Sequence, residues 1–206
     1  MRIEKWSTKL KVFGIGWAKT GTTTLGSCLE QLGYDHQSQD LELVKHLQTG
    51  DLTPVFQTVA RYESFEDWPW IVIYKELDKQ FPNSKFILTE RAPEKWVASY
   101  TNMLEKLGEA SEEMNQIRST LYNLPFPDVN KEMLLARYQQ HNQEVKAYFA
   151  DRPDDLLVVN WEQGDGWPEL CQFLQKKIPD QAFPHANKGR YQKPSLLSKV
   201  ASLFKS

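Results

Sequence analysis

Short apolar runs alternate with stretches of helical periodicity along most of the chain. Three of the apolar runs predict strands, and they cover residues 11–16, 85–89 and 156–161. The last run is so uniformly apolar that we expect burial on both of its faces. Buried strands that alternate with helices predict an α/β fold, in which helices flank a mostly parallel central sheet.

The helical segments are marked by apolar residues at spacings of three and four, and by residues that commonly begin or end helices. Thr22 opens the first helix, and Gly33 lies where its C-terminal cap belongs. Pro69 takes the first position of another helix, whose apolar face continues to Phe81. Other predicted elements are a turn at 50–54 and helices over 41–47, from Pro93, and over 111–122, 131–150 and 167–177.

Composition narrows the possible functions. The chain has 206 residues, of which 40% are hydrophobic, and no change of composition marks a linker, so residues 1–206 are predicted to form one domain. Lys and Arg number 25 against 27 Asp and Glu, and this balance opposes a role in coating nucleic acid. No stretch approaches the ~20 apolar residues of a membrane span, and the N-terminus lacks a leader-like apolar core, so we expect a cytoplasmic protein.

The two cysteines do not predict a disulfide framework or a metal site. Cys28 and Cys171 lack Cys-x-x-Cys or Cys/His spacing, and both occupy apolar positions of predicted helices. They are therefore predicted to be buried free thiols. His141 lies on the apolar face of a long predicted helix and is predicted to be a core histidine with a satisfied hydrogen bond.

The segment Gly-Ile-Gly-Trp-Ala-Lys-Thr-Gly-Thr-Thr-Thr, residues 14–24, links the first predicted strand to the first predicted helix. Its glycines allow a tight turn that presents backbone N–H groups, and the helix N-terminus adds partial positive charge. Lys19 supplies a full charge, and Thr20, Thr22 and Thr23 supply hydroxyl donors. This combination predicts a phosphate site. A turn whose threonines merely cap the helix is the alternative, but capping requires neither the lysine nor both glycines.

The order of residues in this loop disfavours two common phosphate sites. A nucleoside triphosphate loop carries its lysine directly after the last glycine. Here Thr22 follows Gly21, and Lys19 precedes that glycine by two positions. The dinucleotide pattern Gly-x-Gly-x-x-Gly is also absent from this loop.

Residues 17–23, Trp-Ala-Lys-Thr-Gly-Thr-Thr, resemble the 5′-phosphosulfate loop of sulfotransferases that use 3′-phosphoadenosine 5′-phosphosulfate (PAPS). The resemblance implies a three-layer, P-loop NTPase-like fold and transfer of a sulfuryl group to an acceptor hydroxyl or amine, without a metal. It also implies that Lys19 acts in catalysis and that the loop binds PAPS through Trp17, Ala18, Lys19, Thr20, Gly21, Thr22 and Thr23.

A second block of residues resembles the 3′-phosphate motif of the same family. The predicted strand over 85–89 leads to Arg91, and Ser99 follows eight residues later on the next helix. An arginine fork suits a phosphate, and the carboxyl edge of a parallel sheet is where ligands bind. The alternative is that Arg91 pairs with a neighbouring carboxylate while Ser99 is an ordinary surface residue. At lower specificity, residues 67–69, 74–77 and 164–187 resemble a bacterial and lower-eukaryote branch of the family.

Sulfuryl transfer to a hydroxyl requires a general base, and relatives use a histidine or a carboxylate for it. The candidates here are His36, Asp40, Glu42 and Asp67. Asp67 is preferred because Asp-x-Pro recurs in the resembled branch. The alternative for Asp67 is an N-cap just ahead of Pro69.

Two segments near the C-terminus each have two possible interpretations. By resemblance Lys188, followed by Gly189 and Arg190, closes over the 3′-phosphate, while a solvated basic loop is the alternative. Residues 193–206 are basic and amphipathic, which predicts a helical or flexible tail that makes weak peripheral contact with a membrane or packs on the domain.

The acceptor class is open at this stage: a small molecule, a carbohydrate or a lipid. Two other functions compete with sulfotransfer, namely a nucleotide or small-molecule kinase and a nucleotide-binding protein without catalysis. A kinase would depend on magnesium.

Overall fold

The structure is a computed structural model that describes residues 10–184. Within them, five strands form one sheet in the order β2-β3-β1-β4-β5, and every neighbouring pair is parallel. The strands are β1 Val12–Gly14, β2 His36–Gln37, β3 Ser64–Phe65, β4 Lys85–Thr89 and β5 Leu156–Val159. This topology confirms the predicted α/β fold with a mostly parallel sheet.

The described helices are α1 Thr22–Gln31, α2 Leu41–Thr49, α3 Thr53–Arg61, α4 Tyr74–Gln80, α5 Pro93–Leu107, α6 Glu112–Tyr122, α7 Lys131–Tyr148 and α8 Trp167–Leu174. Short 3₁₀ turns lie at Pro153–Asp155 and Trp161–Gln163. Side chains of Asp40, Ser111 and Asn130 cap α2, α6 and α7 by accepting backbone N–H bonds, which fixes where each helix begins. None of the described helices has the length and apolar character needed to cross a membrane.

Helices cover both faces of the sheet, which gives three layers. Side chains of α3, α4 and α7 pack on the face that carries Phe13 and Phe86, and side chains of α1 and α8 pack on the face that carries Val12 and Ile87. The Phe13 ring lies 5.0 Å from that of Phe65 and 5.4 Å from that of Phe86, centroid to centroid, so stacked rings join the three central strands. Burying each such ring contributes ~1.5–3 kcal/mol.

The predicted burial of β5 on both faces is wrong. This strand pairs with β4 alone and lies at the edge of the sheet, where Val158 is 38% exposed. An edge strand has a neighbour on one side, so part of its apolar surface stays in contact with water.

The helix predicted from Pro69 begins later, at Tyr74. Residues 69–73 form turns after a cis peptide bond between Trp68 and Pro69. Trp70 is fully buried, but it packs against Phe65 of β3 and donates its Nε1–H to the carbonyl of Ser38 at 3.2 Å. Its apolar character therefore reflects contact with the sheet, not a helical face.

Two other predictions are confirmed. Cys28 and Cys171 are buried free thiols in α1 and α8. His141 of α7 is buried, and its Nε2 lies 2.8 Å from the carbonyl oxygen of Ile15, which makes it a hydrogen-bonded core residue. Burial lowers the His141 pKa to about 4, so the ring is neutral at physiological pH.

Candidate active site

A pocket of about 1010 Å³ lies at the carboxyl edge of the sheet. It is lined by the loop after β1, by Glu90 and Arg91 after β4, and by residues 160–162 after β5. The chain leaves β1 toward β2 on one side and leaves β4 toward β5 on the other. The pocket therefore lies at the topological switch point, where open α/β sheets bind ligands. Its volume is at the upper end of the ~300–1,000 Å³ usual for small-ligand sites.

The loop over 17–21 turns the chain so that the N-terminus of α1 points into the pocket. Lys19 and Gly21 take left-handed backbone angles, with φ of 76° and 102°. Gly21 is the N-cap of α1 and offers no side-chain cap, so the first N–H groups of the helix, at Thr22 and Thr23, have no intrahelical acceptor. Together with the helix dipole, these groups form an anion-binding end.

Two glycines of the loop are required by close contacts. A Cβ on Gly16 would lie 2.1 Å from the hydroxyl oxygen and 2.4 Å from the carbonyl oxygen of Thr89. A Cβ on Gly21 would lie 2.4 Å from Cδ1 of Trp161, whose Nε1–H donates to the Gly21 carbonyl at 3.2 Å. The loop is thus held between the end of β4 and the indole that follows β5.

Individual loop residues have different roles. The Trp17 side chain is fully buried, with its ring 4.7 Å from that of Tyr122, so it does not line the pocket and any contact with a ligand is limited to its backbone. Ala18 does line the pocket, and its carbonyl accepts from Nε1–H of Trp96 at 2.9 Å. The Thr20 hydroxyl donates to the Trp17 carbonyl at 2.6 Å, so it stabilises the turn. Thr22 and Thr23 line the pocket, and Thr23 is exposed.

Lys19 lies among other cations. Partial burial lowers its pKa, and the positive charges of Arg91 and Lys106 lower it further. Cations that destabilise one another at the mouth of a helix N-terminus are stabilised by a bound anion. The electrostatics of this end of the pocket therefore favour a phosphate or sulfate group.

Arg91 both lines the pocket and pairs with a carboxylate. Its Nη2 lies 2.6 Å from Oε1 of Glu162, whose other oxygen lies 3.0 Å from Nζ of Lys95. Its Nε is buried and has no hydrogen-bond partner among the described residues. The hydroxyl of Tyr138 accepts from the backbone N–H of Arg91 and donates to its carbonyl, both at 2.9 Å, which positions the residue. Ser99, two turns along α5, lines the same pocket.

Asp67 lines the pocket, and few contacts stabilise the ionised form of its carboxyl group. Burial, and then the nearby charge of Glu66, raise its pKa to about 7, against the opposing effect of a hydrogen bond from the backbone of Trp68. Its Oδ1 is buried without a hydrogen-bond partner among the described residues. A carboxylate that titrates near neutral pH can accept a proton from a bound molecule.

The other three base candidates do not line this pocket. Asp40 is the N-cap of α2 and accepts from the N–H groups of Glu42 and Leu43 at 3.2 and 3.3 Å. The Glu42 side chain is 81% exposed and pairs with Lys45. His36 lies 2.9 Å from the Ser64 hydroxyl through Nδ1, and its Nε2 lies 3.8 Å from Oε1 of Glu66. Asp67, in contrast, caps no helix, because the N-cap of α4 is Ile73.

The remaining site predictions are limited by the described range. Lys188 and the tail over 193–206 lie outside the described residues. Within residues 10–184, no group of three His, Cys, Asp or Glu side chains is placed to hold a metal ion. Sequence reasoning missed Thr89, Trp161 and Glu162 as parts of the site. The signal was their position at the carboxyl ends of two predicted strands, where parallel sheets place ligands.

A parallel sheet with a glycine- and lysine-containing loop between β1 and α1 defines a P-loop-like α/β protein. The chain belongs to the family described as the sulfotransferase domain, whose model matches residues 11–191. This membership confirms the resemblance drawn from the two motifs.

Two known proteins are similar over most of their length. The Ava biosynthesis cluster protein M of Aspergillus versicolor is 24% identical over 212 residues, which covers 85% of this chain and 80% of that protein. The crystal structure of a sulfotransferase from Alicyclobacillus acidocaldarius superposes with a TM-score of 0.55 at 15% identity, and covers 95% of this chain and 91% of that one. At that identity the structural likeness supports the shared fold.

Proposed function

We propose that the protein is a PAPS-dependent sulfotransferase that transfers a sulfuryl group to a hydroxyl or amine of an acceptor molecule. The observation that carries the proposal is one pocket that joins an anion-binding helix N-terminus, two pocket-lining cations and a carboxyl group with a pKa near 7. Family membership supports sulfotransfer as the reaction class.

The described residues fit a donor with two phosphate-type groups. The N–H groups at the start of α1 and the Lys19 ammonium would hold the 5′-phosphosulfate, because they lie at the same end of the pocket. Arg91 and Ser99 would hold the 3′-phosphate, because both line the pocket, and the phosphate would share the Arg91 guanidinium with Glu162. PAPS, when bound, supplies an activated sulfuryl group whose leaving group is a phosphate oxygen.

In the proposed mechanism Asp67 accepts the proton of the acceptor hydroxyl. Lys19 and the first N–H groups of α1 stabilise the negative charge that develops on the departing phosphate oxygen.

Binding of nucleotides tests this proposal. We expect calorimetry to show tight binding of adenosine 3′,5′-bisphosphate that is independent of magnesium, with much weaker binding of ATP. Lys19→Ala should weaken bisphosphate binding about 10- to 100-fold, because it removes a charge-assisted hydrogen bond of ~1.5–3 kcal/mol.

Lys79→Ala is the matched control, because Lys79 is exposed on α4 and outside the pocket. A preference for ATP with magnesium would indicate a kinase and contradict the proposal. Binding of the bisphosphate without sulfation of any acceptor would indicate a binding protein instead.

A further inference from the structure

Part of the pocket wall has no role so far. This part comes from one side chain of α2 and several of α5 and α6. We call this part the acceptor chamber, and its wall residues are Leu41, Tyr100, Met103, Met114, Ile117 and Leu121. All six are apolar or aromatic.

The chamber has a preformed aromatic floor. The Tyr122 ring packs against Trp68 at 4.8 Å and Tyr100 at 5.3 Å, centroid to centroid, and all three residues line the pocket. Burial raises the Tyr122 pKa, and the nearby Tyr100 hydroxyl raises it further, so Tyr122 stays neutral. Edge-on and tilted rings of this kind form a packed aromatic surface, and favour another aromatic ring beside them.

Polar side chains are a minority in the chamber. Besides Asp67, the pocket-lining polar side chains beside these walls are Gln39, Glu109, Ser111 and Arg118, and Glu109 is exposed in the loop between α5 and α6. A sugar ring carries a hydroxyl on most of its carbons, and each one buried without a partner costs ~1–3 kcal/mol. The walls therefore favour an acceptor with one or two polar groups on an apolar body.

The carboxyl group at the chamber entrance also bears on the acceptor hydroxyl. A carboxylate that titrates near pH 7 is a weak base, and it removes a proton most efficiently from a hydroxyl of comparable acidity. The pKa of a phenol, ~10, is far closer to that of Asp67 than is the pKa of an aliphatic alcohol, which resembles the ~15.7 of water.

We propose that the acceptor is a small apolar molecule with a phenolic hydroxyl, whose ring lies in the acceptor chamber and whose hydroxyl reaches Asp67. This rests on the proposed sulfotransferase function. Asp67 takes the hydroxyl proton, the phenolic oxygen bonds to sulfur, and the bond between sulfur and the 5′-phosphate oxygen breaks. The electron pair of that bond leaves on the phosphate of adenosine 3′,5′-bisphosphate.

Three test acceptors distinguish the effect of an aromatic ring, the effect of a phenolic rather than an alcoholic hydroxyl, and the effect of polarity. With PAPS as donor, formation of sulfated product is measured for 2-naphthol, naphthalen-2-ylmethanol and glucose. We expect kcat/KM for 2-naphthol to exceed that for each of the others by at least about 100-fold, since apolar burial and proton acidity both favour it. Comparable turnover of naphthalen-2-ylmethanol or glucose, or no turnover of any acceptor, overturns the proposal.

Two methionines provide a matched pair of variants. Met103→Gln places an amide in the chamber wall, whereas Met133→Gln makes the same change on α7 outside the pocket. We expect Met103→Gln to raise KM for 2-naphthol about 10-fold or more, while Met133→Gln leaves it unchanged. An unchanged KM in Met103→Gln overturns the placement of the ring.

Binding of adenosine 3′,5′-bisphosphate is measured on the same variants, and both are expected to retain it. Retained binding combined with a preference for glucose would overturn the acceptor class alone. If the unmodified protein does not bind the bisphosphate at all, the sulfotransferase function itself is overturned, so the two failures are distinguishable.

Discussion

Asp67 differs from the other acidic candidates in the surroundings of its carboxylate. The side chain of Asp40 accepts hydrogen bonds from two backbone N–H groups, and that of Glu42 pairs with an exposed lysine. In contrast, Oδ1 of Asp67 is buried and has no hydrogen-bond partner among the described residues. Its backbone is left-handed, with φ 68°, which is costly for a residue other than glycine. Unfavourable backbone and solvation at one residue are typical of functional sites.

We predict that Asp67→Asn lowers kcat about 10²- to 10⁴-fold and removes the acidic limb of the pH–rate profile. In the unmodified protein kcat/KM should fall as pH drops below about 7, because the base becomes protonated. Steady-state kinetics between pH 5 and 9 provide the measurement. A profile that keeps its acidic limb in the variant would assign the titration to another group.

The same pKa has a consequence for stability. The folded pKa of about 7 is above the ordinary aspartate value of 3.8, so the folded state holds this proton more tightly than the unfolded chain does. The Asp67 contribution to stability is therefore fully present below pH ~4 and is lost as pH rises to about 7. Relative to Asp67→Asn, the free energy of unfolding in urea should decline across that window and then stay level.

Glu162 forms an ion pair with Arg91, the residue that we propose binds the 3′-phosphate. Its pKa is lowered because the Lys95 hydrogen bond and the Arg91 charge outweigh the opposing effect of partial burial, so it is ionised at neutral pH. A phosphate must compete with this carboxylate. We predict that Glu162→Gln tightens binding of adenosine 3′,5′-bisphosphate about two- to fivefold, in line with ~0.5–1 kcal/mol for a partly exposed pair.

Adenosine 5′-phosphate provides the internal control for Glu162, because it lacks the 3′-phosphate and its affinity should not change. Glu94→Gln, an exposed change in the first turn of α5, controls for loss of one negative charge near the site. Equal tightening by both variants would mean that long-range charge, and not the ion pair, sets the affinity.

At the scale of elements, the join between β1 and α1 depends on Gly21 for two separate reasons. Its φ is 102°, and a Cβ there would collide with the Trp161 indole. Gly33, after α1, has φ 84° but no atom within 4 Å of its Cβ position. A Cβ would cause backbone strain at both glycines but a steric collision at Gly21 alone, so alanine variants of the two separate these effects.

We predict that Gly33→Ala destabilises the protein by ~1 kcal/mol and retains bisphosphate binding. Gly21→Ala should lose that binding at least about 10-fold, because the loop must move away from Trp161. Chemical denaturation and calorimetry measure the two effects. If both variants bind equally well, contact with Trp161 does not hold the loop in its binding conformation.

The elements that sequence could not predict are the shortest and the most dependent on tertiary contacts. Strands β2 and β3 have two residues each, too few for a periodicity of two to appear. Helix α3 was missed because Gly50, Asp51 and Pro54 indicate a turn, and the turn is real but short. Strands β1, β4 and β5 and helix α1 were predicted because each carries a continuous local pattern.

At the scale of the whole molecule, the pocket that joins the loop after β1 with Arg91 and Ser99 could be predicted because its signals are local in the chain. Residues 17–23 and the pair Arg91 and Ser99 each lie within one strand–helix connection. Glu162 and Trp161 follow a different strand. Their position at its carboxyl end is a local signal, but their contacts with Arg91 and Gly21 span 71 and 140 residues, so no local pattern reveals those contacts. The sequence preferred Asp67 by resemblance alone, and its burial and position in the pocket now distinguish it physically from the other three candidates.

The walls of the pocket come from two different parts of the chain. Lys19, Thr22 and Arg91 lie on the connections that follow β1 and β4 at the centre of the sheet. The walls of the acceptor chamber lie mainly on α5 and α6, which are outside the sheet. Trp96 of α5 also contacts the loop through the Ala18 carbonyl, whereas the chamber side chains of α6 lie on a separate helix. Under the proposed function, we therefore expect substitutions on the α6 side of the chamber to change the choice of acceptor while nucleotide binding is kept.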